Sequence, residues 1–239
     1  KKSTLKNFSY MVGLSTNVFC GSHNLIKLVN SIKTNKALFI PTAVKLENYN
    51  PIDKKNSKIC IGWVGNGRHY QEDLIQLLVE PLKILSQQHQ IRFKLVGACA
   101  VESLYRVFST IKNLELDFID ELNWSGDDVV GLALSDVDIG VYPLLNNDFN
   151  SLKCGFKALE YMAMKIPVVS SPITVNKEIV LDNENGYLVN SSLEWVEAIE
   201  DLILNKQKRT SFGVNGLTKV RNEYSTKATT RLILNNLNK

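Results

Sequence analysis

From Lys58 onward the chain alternates short apolar, β-branched runs with longer amphipathic stretches, and the connections between them are short. Ile59-Cys60-Ile61-Gly62-Trp63-Val64 has the continuous apolar character of a strand covered on both faces. The spacing predicts a helix from about Glu72 to Gln88, a strand over Phe93–Gly97 and a helix over Val101–Ile111. A strand over Leu114–Phe118 follows, then a helix within Trp124–Leu134 whose first turn carries Asp127 and Asp128, the charge a helix start prefers. Val137–Pro143, Val168-Val169 and Gly186–Val189 read as further strands, and helices over Leu193–Leu204, Lys208–Tyr224 and Thr226–Leu237 close the chain. Strands that alternate with helices must pair in parallel through crossovers. The expected fold class is therefore α/β, a doubly wound, Rossmann-like parallel sheet.

Upstream, the pattern is thinner. Lys2–Met11 reads as a helix, Asn17–Ser22 as a short strand and turn, and Asn24–Lys33 as a helix with Leu25, Leu28, Val29 and Ile32 on one face; Ala37–Pro41 is a strand closed by proline. Two strands and their helices cannot bury a core alone. Residues 1–50 are thus expected to belong to a partial second α/β domain, with a polar linker over Glu47–Lys58. Residues 51–225 form the main domain and residues 226–239 a C-terminal helix. A chain that starts with Lys1 reads as a fragment.

Composition narrows the function classes. With 44% hydrophobic and 22% charged residues the chain can bury a core and is not disordered. A net charge of +4, without basic runs interleaved with aromatics, argues against nucleic acid as a partner. Cys20, Cys60, Cys99 and Cys154 are widely spaced, have no metal-ligand pattern and fit free thiols in a reducing compartment, the cytoplasm. No apolar run is long enough to span a bilayer and no signal peptide is visible; a peripheral contact at the membrane surface stays open.

The chemistry concentrates in Lys153-Cys154-Gly155-Phe156-Lys157-Ala158-Leu159-Glu160-Tyr161-Met162-Ala163, a glycine loop that runs into a short helix. A helix start offers free N–H groups and a positive dipole end to an anion. Lys157, in the first turn, opposes that dipole unless a negative ligand is present, and Glu160 shares its face. A cation for phosphate and a carboxylate for hydroxyls suit a sugar nucleotide; the same residues also fit a solvated Lys–Glu pair, and residue types alone leave both readings open. In open parallel sheets ligands bind at the carboxyl ends of strands. Three loops leave such ends. Gly65-Asn66-Gly67-Arg68-His69 allows close backbone approach, with Arg68 able to fork onto a phosphate and His69 within reach. It lacks the third glycine and the acidic residue of a dinucleotide fingerprint and the Lys-Ser/Thr of a Walker loop. Tyr142–Ser151 is long and polar, and Asp148, Asn150 and Ser151 could meet sugar hydroxyls. Val96-Gly97-Ala98, with Phe118, Ile119 and Trp124, could edge a base, although an aromatic in such a sheet is more often core. No Ser/His/Asp or Cys/His arrangement is visible.

Gly-Phe-Lys-Ala-Leu-Glu-Tyr-Met-Ala-Met-Lys-Ile-Pro-Val-Val resembles the donor-site segment of the group 1 (glycogen synthase-like, retaining) GT-B glycosyltransferases, in the subgroup whose helix reads Lys-x-x-Glu-Tyr-Met-Ala. Pro41-Thr42-Ala43-Val44 is similar to the family's entry into the interdomain linker. The resemblance implies a C-terminal donor-binding domain preceded by the tail of the acceptor domain, and transfer of a sugar with retention from a nucleoside diphosphate sugar of UDP or GDP type. It implies Glu160 at the donor ribose, and Gly65, Asn66, Arg68, Gly155, Phe156 and Lys157 around the diphosphate, with Lys157 and Glu160 as the catalytic pair. It implies no bound metal and no other cofactor, and a saccharide, lipid-linked or protein acceptor. Many members carry another Glu where this chain has Leu152. The alternatives are a non-catalytic nucleotide-sugar-binding or scaffold module and, against the damaged glycine fingerprint, a Rossmann-type oxidoreductase.

Overall fold

A computed structural model describes residues 2–33, 36–52, 57–123 and 126–237. The chain runs α1 (Lys2–Leu14), β1 (Val18–Cys20), α2 (His23–Ile32), β2 (Ala37–Phe39), β3 (Ile59–Val64), α3 (Gly67–Gln88), β4 (Ile91–Val96), α4 (Glu102–Phe108), β5 (Glu115–Ile119) and α5 (Val129–Ala133). It continues through β6 (Ile139–Tyr142), α6 (Phe156–Ala163), β7 (Val168–Ser170), α7 (Asn176–Ile179), β8 (Gly186–Leu188), α8 (Ser192–Leu204), α9 (Lys206–Lys219), a wide π-type turn at Val220–Tyr224 and α10 (Thr226–Leu237). β3 to β8 form one six-stranded sheet in the order β5-β4-β3-β6-β7-β8, with every pairing parallel. This is the expected doubly wound α/β fold, and its order reverses between β3 and β6.

Alternating side chains of each strand feed two cores. From β3, Ile61 and Trp63 pack with Leu74, Leu78 and Leu82 of α3 and with Trp195 of α8. Cys60 and Val64 face the other way, among Leu159, Met162, Val137 and Val220. The small β1–β2 sheet is parallel, and α1 and α2 close over Val12, Cys20 and Val29. It is fastened to the main body at α2, where Ser22 Oγ donates to the Leu152 carbonyl (3.1 Å) and Asn24 Nδ2 to that of Ser151 (3.1 Å). The linker is stitched to the far end of the chain, with the Val44 amide donating to the Tyr224 carbonyl (2.7 Å) and that of Thr226 to the Val44 carbonyl (3.0 Å).

Several element boundaries depart from the sequence expectation for physical reasons. α3 starts at Gly67, not near Glu72, because the Asn66 side chain caps it by accepting from the Arg68 amide (3.1 Å). The glycine loop is thus itself a helix start, and Arg68, His69 and Tyr70 lie in the first turn. α5 is a short piece; Trp124 lies outside the described residues, and Asp127, instead of serving a helix start, pairs with Lys45 of the linker (2.7 Å). The segment expected as one helix to Tyr224 leaves α-geometry at Val220.

β3 and β6 stay paired only at Ile61↔Ile139 and Gly62↔Gly140. Beyond that the strands part, and the Tyr161 hydroxyl fills the gap. It accepts from the Val64 amide (3.1 Å) and donates to the Val141 carbonyl (3.2 Å), while its ring lies flush against Gly140, where any side chain would overlap it. All these groups are buried, so each hydrogen bond replaces one that water cannot make. Tyr161→Phe is expected to lower unfolding stability by about 1–3 kcal/mol, since two buried backbone groups lose their partner; urea denaturation at neutral pH measures it, and a change within 0.5 kcal/mol, the range of about a neutral surface substitution, contradicts the assignment.

Candidate active site

The opening that Tyr161 bridges leads to the carboxyl ends of β3 and β6, and the start of α6 points its first side chains there. Gly155 caps α6 with φ 72°, a left-handed conformation that glycine adopts freely. A side chain at that position would also overlap Ile179 and crowd Asn176. Protein packing by itself thus requires a glycine here. The Phe156 and Lys157 amides lie before the first intrahelical bond, the Ala158 amide to the Gly155 carbonyl, and have no protein acceptor among the described residues.

Lys157 folds back across the sheet end. Its Cε occupies the space a side chain on Gly65 would need, and its ammonium stands 4.0 Å from the Tyr70 ring centroid, 5.5 Å from that of Tyr142 and 5.6 Å from that of Trp63. Burial pulls its pKa down to about 8, against the upward pull of Glu160, Cys154 and Asp73. Glu160 is buried one turn on. Its Oε1 accepts from the Tyr49 hydroxyl of the linker (3.0 Å). Burial raises its pKa to about 7, and the Tyr49 hydrogen bond and Lys157 hold it from rising further. Of the two readings left open for Lys157 and Glu160, the solvated pair is not what forms: Glu160 is held by Tyr49 and the Lys157 ammonium lies among aromatic rings.

Of the other predicted residues, Gly65 lies directly under Lys157, and Phe156 is 38% exposed at the mouth of the helix start. Asn66 is the cap of α3. Arg68 leans away, its Nε and Nη2 both 3.4 Å from the Cys99 carbonyl in the loop after β4. Phe118 belongs to an aromatic cluster with Phe93, Tyr105 and Phe108, and the Ile119 carbonyl accepts from the Gly97 and Ala98 amides, so both take part in the framework. Asn150 is buried and donates to Asp73 (2.8 Å) and to the Leu145 carbonyl (2.8 Å), and Ser151 Oγ donates to the Asp148 carbonyl, so the polar loop is bonded to itself and to α3. His23, at the start of α2, meets Glu178 of α7, and His89, at the end of α3, meets Glu200.

Three residues of the site are not singled out by sequence reasoning. Tyr70 is the ring under the lysine, Tyr49 holds Glu160, and Lys153 has its ammonium 3.6 Å from the Tyr70 centroid. Only the corrected start of α3 brings Tyr70 into view. A separate cavity of about 510 Å³ lies at the amino ends of β3, β6 and β7, between Asp138, Lys165 and Arg209; the Arg209 guanidinium is already bonded to the Leu202 and Ile203 carbonyls. Among the described residues no group of three or more His, Cys, Asp or Glu is placed to hold a metal ion, and no helix is long and apolar enough to cross a membrane.

Residues 58–205 match the family described as glycosyl transferases, group 1. The chain is 24% identical over 178 residues to the capsular polysaccharide biosynthesis glycosyltransferase CapM of Staphylococcus aureus, covering 71% of this chain and 43% of that protein. It is 26% identical over 212 residues to an uncharacterized glycosyltransferase of Methanocaldococcus jannaschii, covering 87% of this chain and 56% of that one. The chain therefore spans about half the length of the curated relatives it matches. Among solved structures, sucrose-phosphate synthase of Thermosynechococcus elongatus superposes with TM-score 0.75 at 16% identity, over 100% of this chain and 61% of that one. TarM of S. aureus, solved with UDP, gives 0.73 at 18%, over 100% and 47%. HepE of Anabaena, solved with UDP-glucose, gives 0.69 at 15%, over 94% and 64%. The chain belongs to the group 1 glycosyltransferase family and has its GT-B fold.

The raised Glu160 pKa makes a stability prediction. Between about 4.5, its ordinary value, and about 7 the folded chain holds a proton that the unfolded chain has released. Folding stability therefore falls as pH rises through this window. Glu160→Gln keeps an acceptor for Tyr49 without the charge, so the variant is expected to gain on the wild type between pH 5 and pH 8 in urea unfolding. Parallel pH profiles contradict the buried-carboxylate assignment.

Proposed function

We propose that this chain carries the donor half of a glycosyltransferase that moves a sugar, with retention, from a nucleoside diphosphate sugar of UDP or GDP type to a saccharide, lipid-linked or protein acceptor. Residues 51–225 bind the donor, residues 1–50 belong to the acceptor-side domain, and the C-terminal helix, residues 226–239, follows the pairing with the linker. The observation that carries this reading is Lys157: its ammonium is drawn out of water at the switch point of the sheet, beside a helix start whose amides have no protein acceptor. An isolated cation there is costly without an anion, and a diphosphate supplies one.

In the reaction, departure of the nucleoside diphosphate builds negative charge on its outer phosphate. Lys157 and the amides of Gly155 and Phe156 take up that charge, and a site already depleted of water strengthens the effect. Glu160 accepts from the ribose hydroxyls, with Tyr49 keeping its other side occupied and the carboxylate oriented. Gly65 gives the lysine room to lie across the strand end. The family's presence in capsule synthesis, as in CapM, and the UDP or UDP-glucose seen with TarM and HepE support a nucleotide sugar as the donor.

Calorimetric titration of the chain with UDP and GDP tests the reading, and failure to bind either at millimolar concentration overturns it. Lys157→Met is expected to weaken the bound nucleotide by at least about tenfold while leaving the melting temperature unchanged or higher, because it deletes a desolvated charge. Equal losses of melting temperature and affinity would make the lysine structural. A protein that binds the nucleotide but releases no sugar from any nucleoside diphosphate sugar favours the non-catalytic binding module, a reading to which Leu152 lends support.

A further inference from the structure

Lys153 is a charged residue that the reading above does not use. Its backbone is fixed from every side: its amide donates to the Asn150 carbonyl (3.1 Å), its carbonyl accepts from Thr174 Oγ1 (2.8 Å), and the two preceding carbonyls are held by Asn24 and Ser22. Its ammonium has no such anchoring. Nζ is removed from solvent and has no hydrogen-bond partner, and it lies 3.6 Å from the Tyr70 ring centroid and 5.2 Å from that of Phe149. The Lys157 ammonium lies 4.0 Å from the same Tyr70 centroid. One tyrosine ring thus serves two cations, one from the loop and one from the helix.

Each acid nearby has hydrogen-bond donors other than these lysines. Asp73 of α3 accepts on Oδ1 from the Leu145 amide (2.7 Å) and from Asn150, and Glu160 of α6 is held by Tyr49. Cation–π contact offsets part of the cost of desolvating an ammonium but leaves its three donors unused. Burial pulls Lys153 down to about 8, Asp73 works against that fall and Lys157 adds to it. A single phosphate can answer one ammonium; two linked phosphates can answer both.

We propose that Lys153 is a second anion-binding residue of the nucleotide site, and that Lys153 and Lys157, arranged on the Tyr70 ring, select a ligand with two linked phosphates over one with a single phosphate. The inference rests on the donor-site reading and goes beyond it by assigning the selectivity to a residue of the loop. It also gives the loop's fastening a purpose, since a lysine on a mobile loop could not hold a fixed distance from a helix-borne one.

The test titrates the whole chain at pH 7 with UDP against UMP, GDP against GMP, and inorganic pyrophosphate against inorganic phosphate, for the wild type, Lys153→Met and Lys153→Arg. The wild type is expected to prefer the diphosphates. Lys153→Met should lose about tenfold for them, about 1.4 kcal/mol, with the monophosphates within about twofold. Lys153→Arg should recover most of the loss, and the melting temperature of Lys153→Met should not fall. At pH 8.5 diphosphate binding should take up protons in the wild type and fewer in Lys153→Met, because a bound anion restores the charge of a partly neutral amine. A diphosphate-to-monophosphate ratio that Lys153→Met leaves unchanged overturns this inference alone. A wild type that binds no diphosphate, pyrophosphate included, overturns it together with the donor-site reading.

Discussion

The gap between β3 and β6 is the constraint on which the rest of the molecule turns. Parallel strands that remained paired to their ends would leave no space for a ligand, and strands that simply split would strand buried amides and carbonyls. Tyr161 resolves the conflict by giving one hydroxyl to both strands, to the Val64 amide and the Val141 carbonyl. That requires a residue without a side chain under its ring, which is Gly140, and a helix angled so that Tyr161 faces the sheet. The same angle puts Lys157 and Glu160, four and one positions earlier, at the mouth of the opening. The tyrosine that satisfies the split sheet and the residues that line the split are therefore set by one helix.

How much of this was legible in the sequence differs by level. The sheet was legible because its central strands, such as β3, are continuous apolar runs that call for cover on both sides, while β4 and β5 alternate, with helical stretches between them. Helix ends were less so. Asn66 carries a cap signal, but Gly67 beside it reads as a breaker, and the propensity argument for a later start loses to the cap. That error hid Tyr70, which looks like loop until the first turn of α3 is drawn in. At the site, Lys157 and Glu160 stood out by type and spacing. What they touch did not, because Tyr49 lies 111 positions from Glu160 in the chain and no local pattern reports such a partner. The two glycines of the site also have a packing cause that no local pattern reports: Gly155 and Gly65 make room for Ile179 and for Lys157.

The linker is more than a spacer. Val44 is paired with the segment that enters α10, Lys45 reaches Asp127, and Tyr49 reaches into the main domain to hold Glu160. A short stretch thus joins the small β1–β2 unit, the end of the chain and the carboxylate proposed to meet the donor. Any relative movement of the two parts of the chain must strain at least one of these contacts. The Tyr49–Glu160 bond is the one among them that touches the site, so the state of the linker and the charge on Glu160 are physically coupled.

The charges gathered at the strand ends are poorly settled in the protein by itself. Lys153 has no hydrogen-bond partner, Lys157 rests on rings, both are drawn toward about 8, and Glu160 is drawn toward about 7. Structural ion pairs in this chain look different: Asp136 bridges Arg92 (2.6 Å) and Lys94 (2.8 Å) with each charge answered. A fold can tolerate a few unanswered charges when the remaining core is well packed, and they persist where something other than stability keeps them. The contrast within one molecule, between a satisfied ion network at one place and cations resting on a tyrosine ring at another, separates residues that hold the fold from those proposed to meet an anion.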